Sequence, residues 1–135
     1  MKTVELTQEP ICMDAHVADL SLPDCGAVLV FYGLVRNHAD GQSVEAIDYS
    51  CYEAMAAVEL QKVVDRSADT CGVENVVVVH RVGKLKVGEA SLGIVVASPH
   101  RAEAFRCAEM IIDEIKKTVP IWKKELVWME VAGSD

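Results

Sequence analysis

Apolar and polar residues alternate along the chain in two patterns, which separate predicted strands from predicted helices. Runs rich in Val, Ile, Phe and Tyr predict strands at 3–7, 27–35, 43–50, 74–82, 90–98 and 124–131. Apolar spacings of three and four predict helices at 13–20, at 52–70 and between Pro99 and Pro120. This element order favours an α+β or α/β sandwich, in which a mostly antiparallel sheet is covered by two main helices.

The apolar run at 27–35 is nearly continuous, which predicts a strand buried on both faces. Arg36, Asn37 and His38 follow it directly. Because a cation at the end of a buried strand is held rigidly, Arg36 is a candidate binding residue. The strand at 43–50 is expected to return antiparallel, and 83–88 is expected to be only a connection.

Helix boundaries are marked by capping residues. Ser50 and Glu53 have the spacing of a capping box at the start of the helix at 52–70, and Gly72 is predicted to end this helix. Ser98 is predicted to cap the last helix, with Pro99 in its first turn. Pro120 ends that helix, because proline has no N–H and biases the preceding residue away from helical dihedrals.

The last helix has one predicted apolar face and a basic group at each end. The apolar face is predicted to contain Phe105, Ala108, Ile112 and Ile115. His100 and Arg101 lie at the start, where free backbone N–H groups favour an anion. Lys116 and Lys117 lie at the end, where lysines are often only solvated partners of the helix dipole.

A second basic pair, Lys123 and Lys124, follows a short turn after the last helix. In this turn Ile121 and Trp122 are expected to pack against the core, which would hold the lysines in place. His80 shares its predicted strand face with valines and is therefore expected to be a buried structural histidine.

Composition limits the partners of this basic group. The chain has 135 residues and a net charge of −8, which argues against nonspecific binding to nucleic acid or to an anionic membrane. Nine of its 13 basic residues nevertheless lie between Arg81 and Lys124. A local positive region in an acidic protein suits a small anionic ligand.

Length and cysteine usage indicate the class of protein. We expect one domain over residues 1–135. The five cysteines have no zinc-like spacing, so they are interpreted as reduced cytosolic thiols, none of them essential. No apolar run approaches the ~20 residues that span a bilayer, so a soluble, cytoplasmic protein is expected.

Five segments, in order, resemble the large, catalytic subunit of molybdopterin synthase, the MoaE family. The segments are Gly33-Leu-Val-Arg-Asn-His38, Val79-His-Arg-Val-Gly83, Val87-Gly-Glu89, Pro99-His-Arg-Ala-Glu-Ala-Phe105 and Val119-Pro-Ile-Trp-Lys-Lys-Glu125. Each motif is weak alone, whereas the ordered set is specific. The resemblance covers the chain from about Gly26 to Glu125.

The resemblance implies an α/β hammerhead fold and a homodimer that carries a small ubiquitin-like subunit at each end, as a heterotetramer. The partner's C-terminal Gly-Gly bears a thiocarboxylate. The implied reaction transfers two sulfurs in succession to cyclic pyranopterin monophosphate, which forms the dithiolene of molybdopterin. It implies no cofactor and no metal for this step.

The resemblance also implies roles for single residues. Arg36, His100 and Arg101 match groups that bind the substrate phosphate and pterin. Lys116 matches the lysine most directly involved in catalysis, and Lys123 matches a second functional lysine. Further residues are expected to flank the pocket: Leu34, Val35, Lys124 and Glu125.

Several alternatives stay open at this point. Lys116 either stabilises an oxyanion and departing groups or acts as an amine nucleophile. A slip of one residue would place Lys117 in the site instead. The alternative functions are a noncatalytic docking module for a ubiquitin-like tail and another enzyme of phosphorylated metabolites, such as a phosphatase; a plain structural role is the weakest. The contribution of the short C-terminal tail is also open.

Overall fold

Helices and strands account for most of the chain in the computed structural model, which describes residues 1–39 and 41–127. The helices are α1 (Met13–Ala18), α2 (Glu53–Cys71) and α3 (Arg101–Thr118). The strands are β1 (Lys2–Thr7), β2 (Ala27–Leu34), β3 (His38–Ala39), β4 (Gln42–Cys51), β5 (Asn75–Arg81), β6 (Gly83–Lys86), β7 (Ala90–Ser98) and β8 (Ile121–Val127). Of the last predicted strand, 124–131, the part beyond residue 127 lies outside the described residues.

The strands form two sheets. The first has the order β1-β5-β7-β2, and in the second β4 pairs with β3, β6 and β8. The β1–β5 pair is parallel, and the other pairings within the described ranges are antiparallel. The predicted α+β fold with a mostly antiparallel sheet and two main helices is therefore confirmed. The segment 83–88, expected to be only a connection, instead contains β6, which extends the second sheet.

The main core lies between the first sheet and helices α2 and α3. It contains Leu60 and Val64 of α2, Ile111 of α3, and Val78 and Ile94 of the two central strands. A smaller cluster on the opposite face of the sheet joins Met13 of α1 to valines of β5 and β7. The central strands are thus covered on both faces, which explains their continuous apolar sequence.

The prediction that the strand at 27–35 is buried on both faces is wrong. In β2, which lies at the edge of the first sheet, partly buried and exposed residues alternate. Leu29 and Phe31 pack against the main core, whereas Val30 and Leu34 are exposed. The short helix α1 packs over the central strands, so it leaves the outer face of β2 uncovered.

Neither predicted N-terminal cap is formed. Tyr52 precedes α2 and His100 precedes α3, and neither provides a side-chain cap. Ser50 remains part of β4, so it is too early to cap α2. The Ser98 hydroxyl donates to the backbone oxygen of His100 instead of accepting a helix N–H.

Both helix ends at the C-terminal side follow the local chemistry of the chain. Gly72 ends α2 in the left-handed conformation, with φ of 69°. α3 ends at Thr118, and Val119 before Pro120 is extended, as the proline predicts.

Two aromatic residues assigned to the core are in fact exposed. Phe105 is 60% exposed, because the face of α3 that meets the sheet is centred on Cys107 and Ile111. Trp122 is 53% exposed and packs edge-on against the ring of Tyr52, 5.7 Å away. Consecutive strand residues point to opposite faces. Because Ile121 packs against the core, Trp122 points away from it.

A network of backbone hydrogen bonds and one ion pair holds the end of β2 against the turn before β7. The Arg81 guanidinium lies 3.3 Å from a carboxylate oxygen of Glu89, and the other carboxylate oxygen accepts the backbone N–H of Lys86 at 2.7 Å. The backbone N–H of Val35 donates to the Glu89 carbonyl, and the N–H of Gly88 donates to the Val35 carbonyl. This network positions the residues that follow β2.

No helix within the described ranges is long and apolar enough to cross a membrane.

The assignment of the buried face of α3 is testable by a pair of truncations. Ile111→Ala removes a fully buried side chain and is expected to lower the free energy of unfolding by about 2–5 kcal/mol. Phe105→Ala, on the exposed face, is expected to change it by about 0.5 kcal/mol. Urea unfolding followed by circular dichroism measures both. Equal losses in the two variants would contradict this packing.

The Glu89 network predicts a pH-dependent contribution to stability. The backbone N–H of Lys86, and then the Arg81 guanidinium, lower the pKa of Glu89 against the opposing effect of burial. The carboxylate therefore stabilises the fold at pH values above its unfolded pKa, near 4.5, and this contribution is lost as pH falls through the lower folded pKa. Urea unfolding from pH 7 to pH 3 should show wild type more stable than Glu89→Gln at pH 7, with the difference vanishing in acid. A difference that stays constant would argue against it.

Candidate functional site

A cleft of about 540 Å³ lies where the end of α3 meets both sheets. Lys116 from the last turn of α3 and Lys123 from β8 both border it. His80 at the end of β5 and Tyr49 of β4 complete its polar wall, and Leu34 contributes to the apolar wall. Three separate parts of the fold therefore meet at one site.

The two lysines reach the same cleft because the chain reverses sharply after α3. Val119 is extended and buried, and Pro120 leads directly into β8. In the β4–β8 pairing Lys123 lies opposite Tyr49. Lys124 lies opposite Asp48 and, as the next residue in the strand, points to the other face. The short turn thus selects Lys123 rather than Lys124 for the cleft.

The cleft has a positive electrostatic character. Within the part of the chain that the structure describes, neither Lys116 nor Lys123 forms an ion pair. Two ammonium groups beside an apolar wall attract anions strongly, since the low-dielectric wall reduces screening. The site can therefore bind two negatively charged groups or stabilise charge that develops in a reaction.

The structure distinguishes the two adjacent lysines at the end of α3. Lys116 borders the cleft, and Lys117 does not. Ile112, Ile115 and Lys116 form the side of α3 that borders the cleft, and the further rotation of about 100° per residue turns Lys117 away from that side. The sequence register that places Lys116 in the site agrees with this geometry.

The residues after β2 lie close to the cleft in the chain but differ in exposure. Leu34 borders the cavity, whereas Val35 is buried in the core of the second sheet. Arg36 is exposed and is not among the residues that border the cleft. Glu125, two residues after Lys123 in β8, is half-buried and also lies outside the cleft.

His100 and Arg101 are not brought to this cleft. They are exposed at the opposite end of α3 from Lys116. Arg101 and Lys116 are 15 positions apart, which corresponds to about 22 Å along a helix with a rise of 1.5 Å per residue. A small ligand in the cleft of one chain therefore cannot contact both ends of α3.

His80 is the feature of the site that sequence reasoning missed. It is buried, as predicted, with 6% exposure, yet it also borders the cleft. Its Nδ1 lies 2.8 Å from the Arg81 carbonyl oxygen, and its ring packs edge-on against Tyr49 at 5.3 Å. Burial lowers the pKa of His80, against the opposing effect of the hydrogen bond to Arg81. A histidine at the exit of a buried strand was the available signal.

The cysteines lie away from the cleft. All five are free, and none borders it. Burial, and then the neighbouring Cys71, raises the pKa of Cys107 to about 12, so this thiol stays protonated and unreactive at neutral pH. Within the described ranges, no group of three or more His, Cys, Asp or Glu residues is arranged to hold a metal ion.

Comparisons with known proteins agree with this architecture. The family model described as MoaE protein matches residues 6–118. Molybdopterin synthase catalytic subunit 1 of Mycobacterium tuberculosis is 40% identical over 120 residues, which cover 89% of this chain and 82% of that protein.

Solved structures with the same fold include molybdopterin synthase from Staphylococcus aureus, with a TM-score of 0.87 and 36% identity over 95% of this chain and 93% of that one. Another is a complex of subunits 1 and 2 of molybdopterin-converting factor from Helicobacter pylori 26695, with a TM-score of 0.74 and 25% identity over 92% of this chain and 84% of that one. The chain therefore belongs to the MoaE protein family.

Proposed function

We propose that this protein is the catalytic subunit of a molybdopterin synthase. It transfers two sulfurs from the thiocarboxylated C-terminus of a small ubiquitin-like partner to cyclic pyranopterin monophosphate, and so forms the dithiolene of molybdopterin. The observation that carries the proposal is the cleft that holds Lys116 and Lys123 in a chain of this family.

The chemistry of the cleft suits these reactants. The substrate carries a phosphate and the sulfur donor is a thiocarboxylate, so both are anions. Ammonium groups bind such anions through charge-assisted hydrogen bonds. Once the sulfur is bonded to the pterin, water attacks the partner's carbonyl carbon and the bond from that carbon to sulfur breaks, which leaves a carboxylate on the partner and a thiolate on the pterin. Negative charge develops on the carbonyl oxygen during the attack. An ammonium group held at that position lowers the barrier.

We assign this stabilising role to Lys116, with Lys123 as the second cation. Lys116 is held at the end of a helix whose last turn packs on the core through Ile115. An amine nucleophile at Lys116 is the alternative, and it requires the neutral amine. Leu34, Val35, Lys124 and Glu125 remain proposed flanking residues.

Assembly with other chains is part of the proposal. The relative from Helicobacter pylori is a complex of two different subunits, which supports a small partner here. The exposed apolar face of β2, formed by Val28, Val30, Tyr32 and Leu34, supports further association, since such patches are uncommon on monomers. We propose a homodimer within a heterotetramer. Five unpaired cysteines support a cytoplasmic location, where thiols stay reduced.

The two ends of α3 are too far apart to contact one substrate, so the proposed dimer is needed to complete the site. Arg36, His100 and Arg101 are proposed to bind the substrate phosphate and pterin, but His100 and Arg101 lie about 22 Å from Lys116 in the same chain. All of these groups can contact one substrate only if His100 and Arg101 come from a second copy. Each complete site is then shared by two protomers.

The adjacent lysines provide a matched test of the catalytic assignment. Lys116→Ala is expected to lower kcat about 100-fold or more, because it removes a charge that stabilises the transition state. Lys117→Ala removes the same charge from the same helical turn and should retain activity close to wild type. Dithiolene product is assayed with purified protein, cyclic pyranopterin monophosphate and thiocarboxylated partner.

Binding of the partner to each lysine variant serves as the control for folding and docking. Equal losses of kcat in the two variants would contradict a catalytic role that is specific to Lys116. A folded wild type that binds the partner and forms no product would leave a docking module instead of an enzyme.

The shared site predicts complementation between two inactive variants. Arg101→Ala and Lys116→Ala chains, each inactive alone, are mixed and allowed to exchange subunits. A mixed dimer then has one complete site and one that lacks both groups. With random exchange, half of the dimers are mixed, so roughly a quarter of wild-type activity should return. No recovery, with exchange verified by mass spectrometry of differently tagged chains, would contradict a site built from two protomers.

A further inference from the structure

His80 occupies a buried position at the floor of the lysine cleft, and the sulfur-transfer scheme gives it no role. His80 lies opposite Leu92 of β7, and Leu92 lies opposite Gly33 of β2. Gly33, at the edge of the sheet, has no side chain. The Tyr49 ring packs edge-on against the imidazole and fixes its plane. The ring is therefore held rigidly beside the space that a ligand in the cleft would fill.

The hydrogen bond at Nδ1 determines the tautomer of the ring. Its partner, the Arg81 carbonyl oxygen, can only accept, so Nδ1 must carry the proton. In the neutral imidazole, Nε2 then has a free lone pair and no proton. Burial favours this neutral form by lowering the pKa.

Nε2 is the ring nitrogen that reaches the cleft. Within the described part of the chain, Nε2 forms no hydrogen bond. Among the described residues, Ser67 Oγ is the one fully buried side-chain polar atom without a hydrogen-bond partner. Nε2 of His80 also has no partner there, so it is not fully buried. Since His80 borders the cleft and its Nδ1 is occupied, the accessible acceptor is Nε2.

The cleft is otherwise rich in donors. Lys116 and Lys123 carry ammonium groups, which donate and cannot accept. Ser91 donates to the Gly33 carbonyl at 3.3 Å, and the Tyr49 hydroxyl is the remaining side-chain group of mixed character. A reduced pterin carries ring N–H groups as well as its anionic phosphate, so it needs acceptors that lysines do not supply.

We propose that Nε2 of His80 accepts a hydrogen bond from a ring N–H of the pterin substrate, which makes His80 a substrate-binding and specificity residue of the cleft. This inference rests on the proposed function. Two kinds of interaction then bind the substrate. The lysines bind its anionic groups, and His80 accepts a hydrogen bond from its ring. A ligand with the same negative charge but no N–H donor would leave Nε2 unpaired and bind more weakly.

Two substitutions separate this role from a structural one. An Asn amide can place a donor near the position of Nδ1, and a Gln amide can place an acceptor near the position of Nε2. His80→Asn therefore keeps the contact with Arg81 and loses the acceptor in the cleft. His80→Gln keeps an acceptor in the cleft and loses the Arg81 contact.

Steady-state kinetics with cyclic pyranopterin monophosphate are measured for wild type and both variants, at a temperature where circular dichroism shows each to be folded. His80→Asn should lower kcat/KM about tenfold, mainly through KM for the pterin, and His80→Gln should stay within about threefold of wild type. KM for the thiocarboxylated partner should not change. An Asn variant at least as active as the Gln variant overturns the proposal.

The pH dependence of wild type gives a second measurement that needs no variant. Within the described ranges, the other ionisable groups that border the cleft with His80 are Tyr49, Lys116 and Lys123. Protonation of Nε2 removes the acceptor, so KM for the pterin should rise in acid, at a pH below the ordinary histidine value of 6.5. A KM for the pterin that stays constant or falls as the pH drops to the acid limit at which wild type remains folded overturns the proposal. Absence of product from folded wild type with bound partner would instead refute the proposed function.

Discussion

The break in the chain at Pro120 is the constraint on which the site depends. Proline cannot continue α3, and it holds the buried Val119 in an extended conformation. The chain therefore leaves the helix layer and enters β8 within two residues, which joins the second sheet to the end of α3. Lys116 and Lys123, on either side of this break, consequently face one cleft. A longer or looser connection would not hold two cations in fixed positions.

The cleft is positively charged, although the chain as a whole is acidic. An acidic chain repels anions at long range, yet its cleft must attract two of them. The cleft resolves this conflict locally, since its lysines have no ion pair within the described ranges and lie against apolar residues such as Ile115 and Leu34. Arg81, in contrast, is paired with Glu89 and serves the architecture of the loop behind the site. Within the described ranges, Arg81 is thus held in an ion pair, whereas Lys116 and Lys123 border the cleft without one.

The exposed face of β2 shows why burial in one chain and apolar sequence are different properties. A continuous apolar run is typical of a strand covered on both faces, and β5 and β7 fit that rule within a single chain. β2 has the same kind of sequence, but its outer face is open. An apolar face left open by the fold is what a homodimer would cover. We propose that the same assembly supplies His100 and Arg101 to the cleft of another chain, because the length of α3 separates them from Lys116 within one chain.

The sequence by itself determined the types of the main elements, the end of α3 at Pro120, the end of α2 at Gly72 and the two candidate lysines. These features depend on local chemistry: apolar periodicity, the missing N–H of proline, the freedom of glycine at positive φ, and short ordered motifs. Tertiary structure alone decided that the strands form two sheets, that Phe105 and Trp122 are exposed, and that His80 faces the cleft. Each of these depends on pairing between residues distant in the chain, and local periodicity carries no information about such pairing.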